Sequence, residues 1–139
     1  MALLNSLATD KQKELEGIWV NYPGTNAEFK IARLGNSNFQ KYASRLSRSQ
    51  IRKLTSGNIQ AKEGLETIAP AIAKHIVLDW QNIEENDKNG KSVLVEYSVE
   101  KATEIFANEQ YQDLIIWIIE ESQSVENYRV ENLKEQEKN

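Results

Sequence analysis

The run from Lys74 to Ser98 constrains the fold more than any other, because its residue pattern changes twice within 25 positions. Up to Ile83, apolar residues recur at Leu65, Ile68, Ile72, Ile76, Trp80 and Ile83, one stripe on a helix of period 3.6. This spacing predicts a helix from about Gln60 to Gln81. Pro70 either kinks it or restarts it as the first turn of a second helix. Glu84 to Gly90 then contains no apolar residue and ends in Asn-Gly, which reads as a polar turn. Val93, Leu94 and Val95 form a short β-prone run. Ser98 stands where a helix N-cap belongs, and Glu100 follows in the first turn, where a carboxylate suits the helix dipole. Helix, turn, extended piece and capped helix make a joint, with the rest of the chain packed on either side.

The flanking segments set the fold class. Gly17 to Tyr22 and Glu28 to Leu34 are rich in β-formers around the turn cluster Pro23-Gly-Thr-Asn26, which predicts a β-hairpin with Phe29 and Ile31 facing inward and Glu28 and Lys30 outward. A lone hairpin is marginal in water, so it must lie on the helices. Phe39, Tyr42, Ala43, Leu46 and Leu54 fit an amphipathic helix to about Leu54. Val99 to Ala107 reads as a short helix, and Asn108 can cap the last one. In that last helix, Tyr111, Leu114, Ile115, Ile118, Val125 and Tyr128 form a stripe broadened by Trp117 and Ile119. The expected fold is α+β and mainly helical: an N-terminal β-hairpin followed by four or five helices in one domain spanning 1–139. A lead over 1–16 and a polar tail over 131–139 are expected to be loosely ordered.

With 40% hydrophobic residues, three Trp, five Tyr and three Phe, 139 residues can bury a sizeable core. No apolar run approaches the length of a membrane span. The start, Met-Ala-Leu-Leu-Asn-Ser-Leu-Ala, has no basic region and does not read as a signal peptide. There is no Cys, which suits a reducing compartment. The net charge of −4 hides a division. Residues 30–62 carry eight basic residues and no acid, so the remainder sums to −12. Such polarity suits a protein partner, or self-association of unlike ends, better than general nucleic-acid affinity.

Catalytic chemistry finds little material. With one His and no Cys, most nucleophilic triads and His-based zinc sites are out of reach. No cofactor or metal is expected. His75 and Asp79 share a face of the expected helix at i, i+4, but an ordinary half-buried pair explains them better than catalysis. Glu85-x-Asp87-x-Asn89-Gly90 with Glu96 twelfth resembles an EF-hand calcium loop. Glu in first position and Ser92 in the apolar eighth position count against it. Lys41, Arg45, Arg48 and Arg52 fall at i, i+4, i+7 and i+11, a basic stripe suited to solvent or to docking a protein more than to nucleic acid. Leu114, Trp117 and Ile118 belong to an apolar face wider than a core stripe requires. Part of that face is a candidate partner surface, and a central buried helix explains it equally well.

Ala2-Leu-Leu-Asn-Ser-Leu-Ala-Thr-Asp-Lys11 running into Glu16-Gly-Ile-Trp-Val20, then Phe29 to Leu34, Phe39 to Tyr42, Lys74 to Trp80, Tyr97-Ser98, Glu100-Lys-Ala102, Tyr111-x-Asp113-Leu114 and Trp117-Ile118, resembles the tail assembly chaperones of long-tailed (siphovirus) bacteriophages and prophages. The resemblance spans residues 2–129 as dispersed residues rather than one motif. It implies a mainly helical protein, not an enzyme, made in the bacterial cytoplasm and absent from the mature virion. It also implies two partners: the tape measure protein, whose apolar helices it keeps soluble, and the tail-tube protein it helps recruit. In many relatives a frameshift extends the C-terminus. The alternatives are a structural tail-completion or head–tail connector protein, and a small nucleic-acid-binding regulator acting through the basic stripe.

Overall fold

The computed structural model describes residues 3–49 and 62–130. The expected hairpin forms the start of its main sheet. Strands β1 (Ile18–Asn21) and β2 (Glu28–Ile31) run antiparallel with Ile18 opposite Ile31 and Asn21 opposite Glu28. The Tyr22 amide donates to Ala27 O at 2.9 Å and closes the loop over Pro23–Asn26. Phe29 and Ile31 are buried while Glu28 and Lys30 are half-buried, the period-two alternation of a strand with one covered face. Gly17, with φ +82°, leads into β1. A Cβ there would sit 3.1 Å from the Ile31 carbonyl carbon, so only glycine allows this approach.

A third strand completes the sheet, and here the structure departs from the helix expected over 60–81. The helix α3 (Lys62–His75) contains Pro70 and ends at His75, and β3 (Val77–Gln81) pairs antiparallel with the free side of β2. Two physical reasons account for the change. The spacing of Ile72, Ile76 and Trp80 is even as well as helical, so it fits one face of either element. The carbonyls that the helix end leaves without intrahelical partners are met by groups outside it. Tyr97 Oη lies 2.8 Å from Ala73 O and 2.9 Å from Val77 O, Asn36 Nδ2 donates to His75 O at 3.1 Å, and the Ala32 amide donates to Ile76 O at 2.7 Å. The third strand also gives the hairpin the partner that a two-stranded ribbon lacks.

The polar stretch after β3 is likewise more than a turn. Glu84–Asn86 (β4) pairs with Ser92–Leu94 (β5), and only Asp87–Gly90 between them turns. Asp87 Oδ1 accepts from the amides of Asn89 (2.8 Å) and Lys91 (2.9 Å), so the would-be calcium loop is a hairpin tip whose central carboxylate is bound to its own backbone.

The helices cover the inner face of the main sheet. Leu65, Ile68, Ile72 and Ile76 from the α3 segment meet Phe29, Ile31, Val77 and Trp80 from the sheet. Helix α4 (Val99–Phe106) starts at Ser98, whose Oγ accepts from the Lys101 amide at 3.0 Å as the sequence predicts, and it buries Ala102 and Phe106. Asn108 caps a single 3-10 turn, Glu109–Tyr111, ahead of α5 (Gln112–Gln123), which buries Ile115 and Ile118. The chain is therefore α+β, with five α-helices among the described residues and small antiparallel sheets.

The lead and the end of the described chain hold each other. Leu4–Leu7 is a 3-10 turn, and α1 (Lys11–Glu16) is capped by Asp10. Arg129 Nη1 donates to Leu7 O at 2.7 Å, Lys13 Nζ to Arg129 O at 3.1 Å, and the Val130 amide to Ala8 O at 3.2 Å. Tyr128, fully buried in the 3-10 turn Val125–Tyr128, donates its hydroxyl to Ile31 O at 3.0 Å. Burial and the nearby Glu121 push the Tyr128 hydroxyl far above its ordinary pKa, so it stays a donor. Beside it, Glu14 is buried. Burial alone would raise its pKa, but hydrogen bonds from Lys11 and Thr9, the Lys11 charge and Arg33 outweigh that and hold it below the usual 4.5. The expected tail over 131–139 lies outside the described residues.

Two outcomes follow. Tyr128→Phe removes the buried hydrogen bond to the Ile31 carbonyl and should lower unfolding free energy by about 1–2 kcal/mol in urea titration with the fold retained. A carboxylate with a depressed folded pKa stabilises the protein above its unfolded pKa and loses that stabilisation as pH falls through the folded value. The stabilisation from Glu14 should therefore be complete above about pH 4.5 and fade below it, and Glu14→Gln should flatten that part of the stability–pH curve.

Candidate functional site

An apolar cleft of about 190 Å³ opens where β3, the root of the small hairpin, α4 and α5 meet. Phe29 from β2 and Phe106 from the end of α4 are buried within its lining. Trp80, from β3, is fixed from three sides. Its indole Nε1 donates to Val95 O at 2.7 Å, its ring meets Tyr97 edge-on at 5.1 Å, and Phe29 meets it edge-on at 6.3 Å. The indole bond ties the hairpin root to the main sheet, because Val95 directly follows β5. Ile83, Val95, Ile105 and Leu114 form the half-buried walls, while Glu84, Glu85 and the 44%-exposed Tyr111 lie toward solvent. A buried aromatic base therefore lies under a partly acidic rim.

Above this cleft the β4–β5 hairpin stands with every strand residue exposed. Leu94 is 68% exposed and Val93 42%. An ion pair from Lys101 on α4 to Glu85, 3.4 Å, braces it. Exposed apolar side chains beside an apolar cleft are a surface that a partner can cover.

The residues singled out from sequence divide among three places. Leu114 lines the cleft. Trp117 is half-buried, stacks on Tyr22 at 4.8 Å between centroids and 16° between planes, and meets Phe29 edge-on at 5.8 Å. Ile118 is fully buried. The broad apolar face of α5 is thus mainly core. Of its three candidate residues Leu114 borders this cleft, and Ile118 is a core position because the sheet and α4 both pack against α5.

Helix α2 (Ser37–Ala43) likewise ends earlier than the helix expected to about Leu54. Ser44 Oγ donates to Lys41 O at 2.8 Å, and the amides of Arg45 and Leu46 bond back three residues to Tyr42 and Ala43, which tightens the chain into a turn. Lys41, Arg45 and Arg48 are all exposed, but Arg45 sits in the turn and Arg48 beyond it, so these three do not line one continuous helix. Arg52 lies outside the described residues.

His75 and Asp79 do not form the expected helical pair, because the helix ends between them. The His75 ring lies 5.2 Å from Tyr42, and Asp79 Oδ1 accepts from the Trp80 amide at 2.8 Å. Burial, then Lys74, lowers the His75 pKa. Among the described residues no three His, Cys, Asp or Glu side chains gather as a metal site, and no helix is long and apolar enough to cross a membrane.

Sequence reasoning missed the cleft. Its signal was present in Trp80, Ile83, Val95, Ile105 and Leu114, but reading residues 74–81 as helix assigned Trp80 to a stripe rather than to a sheet edge.

A family model described as YdaY prophage protein matches residues 34–139, which include every lining residue of the cleft except Phe29. No curated protein matches the chain, and no solved structure does.

The division between core and surface is testable by paired substitutions. Ile118→Ala should cost about 2–5 kcal/mol of stability through the cavity it leaves. Leu94→Ser should change stability by no more than about 0.5 kcal/mol. Thermal and urea melts of both variants check this.

Proposed function

The chain belongs to the YdaY prophage protein family, and on that premise we propose that it is a phage tail assembly chaperone. It binds the tape measure protein, keeps its apolar helices soluble, and helps recruit tail-tube subunits. The observation that carries this reading is the apolar cleft beside an exposed apolar hairpin. A rigid aromatic base and a rim that projects into solvent suit the capture of a client's apolar side chains. The resemblance of residues 2–129 to the tail assembly chaperones supplies the client's identity. On this reading the protein is a binding protein rather than a catalyst, acts in the bacterial cytoplasm, and leaves before the virion matures.

Co-expression with the tape measure protein of the same prophage tests it. The client should become soluble and co-purify with this protein, and mass spectrometry of finished particles should find the client without it. A client that stays soluble alone and never associates overturns the reading. Recovery of this protein from virions would instead favour a structural tail component. Leu114→Glu, which places a carboxylate in the cleft wall, should reduce recovery of the client about tenfold or more, as the loss of a central anchor contact does.

A further inference from the structure

The elements that build the cleft also carry a charge bias. Residues 84–113 hold eight carboxylates against three lysines. One of those lysines, Lys101, is already engaged by Glu85 at 3.4 Å and Glu104 at 3.8 Å. Glu84 and Glu85 border the cleft itself, and Glu109 precedes the lining residue Tyr111 by two positions. The opening is therefore apolar inside, with two carboxylates at its edge, Glu84 and the Lys101-paired Glu85, in a segment of net negative charge.

Its volume limits what can enter. About 190 Å³ is less than the roughly 300–1,000 Å³ of a small-molecule site, and a little more than the roughly 150 Å³ that accepts one benzene ring. One large apolar side chain fits. A segment that inserts such a side chain must lay its flanking residues over the acidic edge. There cations are attracted and carboxylates repelled, with field lines focused by the low-dielectric walls.

We propose that the cleft seats one large apolar side chain of a lysine- or arginine-bearing amphipathic segment, so that the partner is selected by basic residues flanking an apolar anchor. This deepens the chaperone reading and rests on the cleft being the client's seat. It adds that the client segment held there is basic.

The test uses the full chain and short synthetic peptides, read by fluorescence anisotropy. One peptide carries Leu and Lys at helical spacing. A second replaces Lys by Glu, and a third replaces Leu by Ser. The Leu/Lys peptide should bind, more weakly as salt rises, and the other two should bind about tenfold or more weakly. Ile105→Trp, which fills the cleft from its α4 wall, should weaken the Leu/Lys peptide about tenfold or more. Glu84→Lys, at an exposed position, should weaken the Leu/Lys peptide and strengthen the Leu/Glu one, and it tests the idea even if Ile105→Trp does not fold.

Equal binding of the Leu/Lys and Leu/Glu peptides overturns the proposal, as does undiminished binding of the Lys/Ser peptide, which would be adhesion to an acidic protein only. So does unchanged binding by a folded Ile105→Trp variant. If the tape measure protein co-purifies equally with wild type, Ile105→Trp and Glu84→Lys, this inference fails while the chaperone reading stands. If the peptides behave as expected and the tape measure protein never associates, the chaperone reading fails instead.

Discussion

The junction at His75–Ile76 is the constraint on which the rest of the structure depends. A helix that ends in the interior leaves carbonyls that water cannot reach, and each is costly unless something else donates to it. Here the donors arrive from three separate parts of the chain: Tyr97 from the segment before α4, Asn36 from the loop before α2, and Ala32 from the residue after β2. Those bonds let a buried helix pass into a buried strand with no loop between them. They also bind the two halves of the sequence into one core. Asn36 does double duty: its Oδ1 caps α2 through the amides of Asn38 and Phe39 while its Nδ2 reaches His75 O.

Placing β3 beside β2 fixes Trp80, and Trp80 in turn fixes the cleft. The indole is held by a hydrogen bond and two edge-on aromatic contacts, so it is pre-organised and loses little freedom when something packs on it. The rim differs. The β4–β5 hairpin has no core of its own and is held at its root by the Trp80–Val95 bond and at its side by the Lys101–Glu85 pair, an exposed contact worth little by itself. A fixed base and a loosely braced rim let a site grip an anchor and still adapt to what surrounds it.

How much of this was legible in the sequence depended on whether a signal was local. The hairpin over 18–31, the Ser98 cap and the burial of Phe29, Ile31 and Ile115 could be read because each rests on a turn, a cap or a periodicity that short range decides. The end of α3 could not, because residues four apart serve a helix and a strand equally. The choice was made by donors at positions 32, 36 and 97, far away in sequence. Ile118 and Trp117 could not be sorted into core and surface, because the width of an apolar face does not say how many elements pack on it. Here β2 and α4 both do, and Tyr22 adds a stacked ring. The early end of α2 was hidden for the opposite reason. The apolar spacing through Leu46 and Leu54 suited a helix, but Ser44 used its own hydroxyl to close a turn.

An exposed two-stranded ribbon with Leu94 68% exposed is a hazard, because open strand edges and apolar side chains invite pairing with other chains. The same ribbon carries its protection. Glu84 stands opposite Leu94 and Glu85 opposite Val93, so each exposed apolar residue has a carboxylate as its cross-strand neighbour. A second copy brought β4 edge to β4 edge would place like charges against each other, which disfavours self-pairing there, while a partner bringing cations would relieve the same repulsion. The carboxylates that disfavour self-pairing at the β4 edge are thus the ones that would select a basic partner. Both follow from one fact of register, that the two carboxylates of β4 stand directly across the ladder from the two apolar side chains of β5.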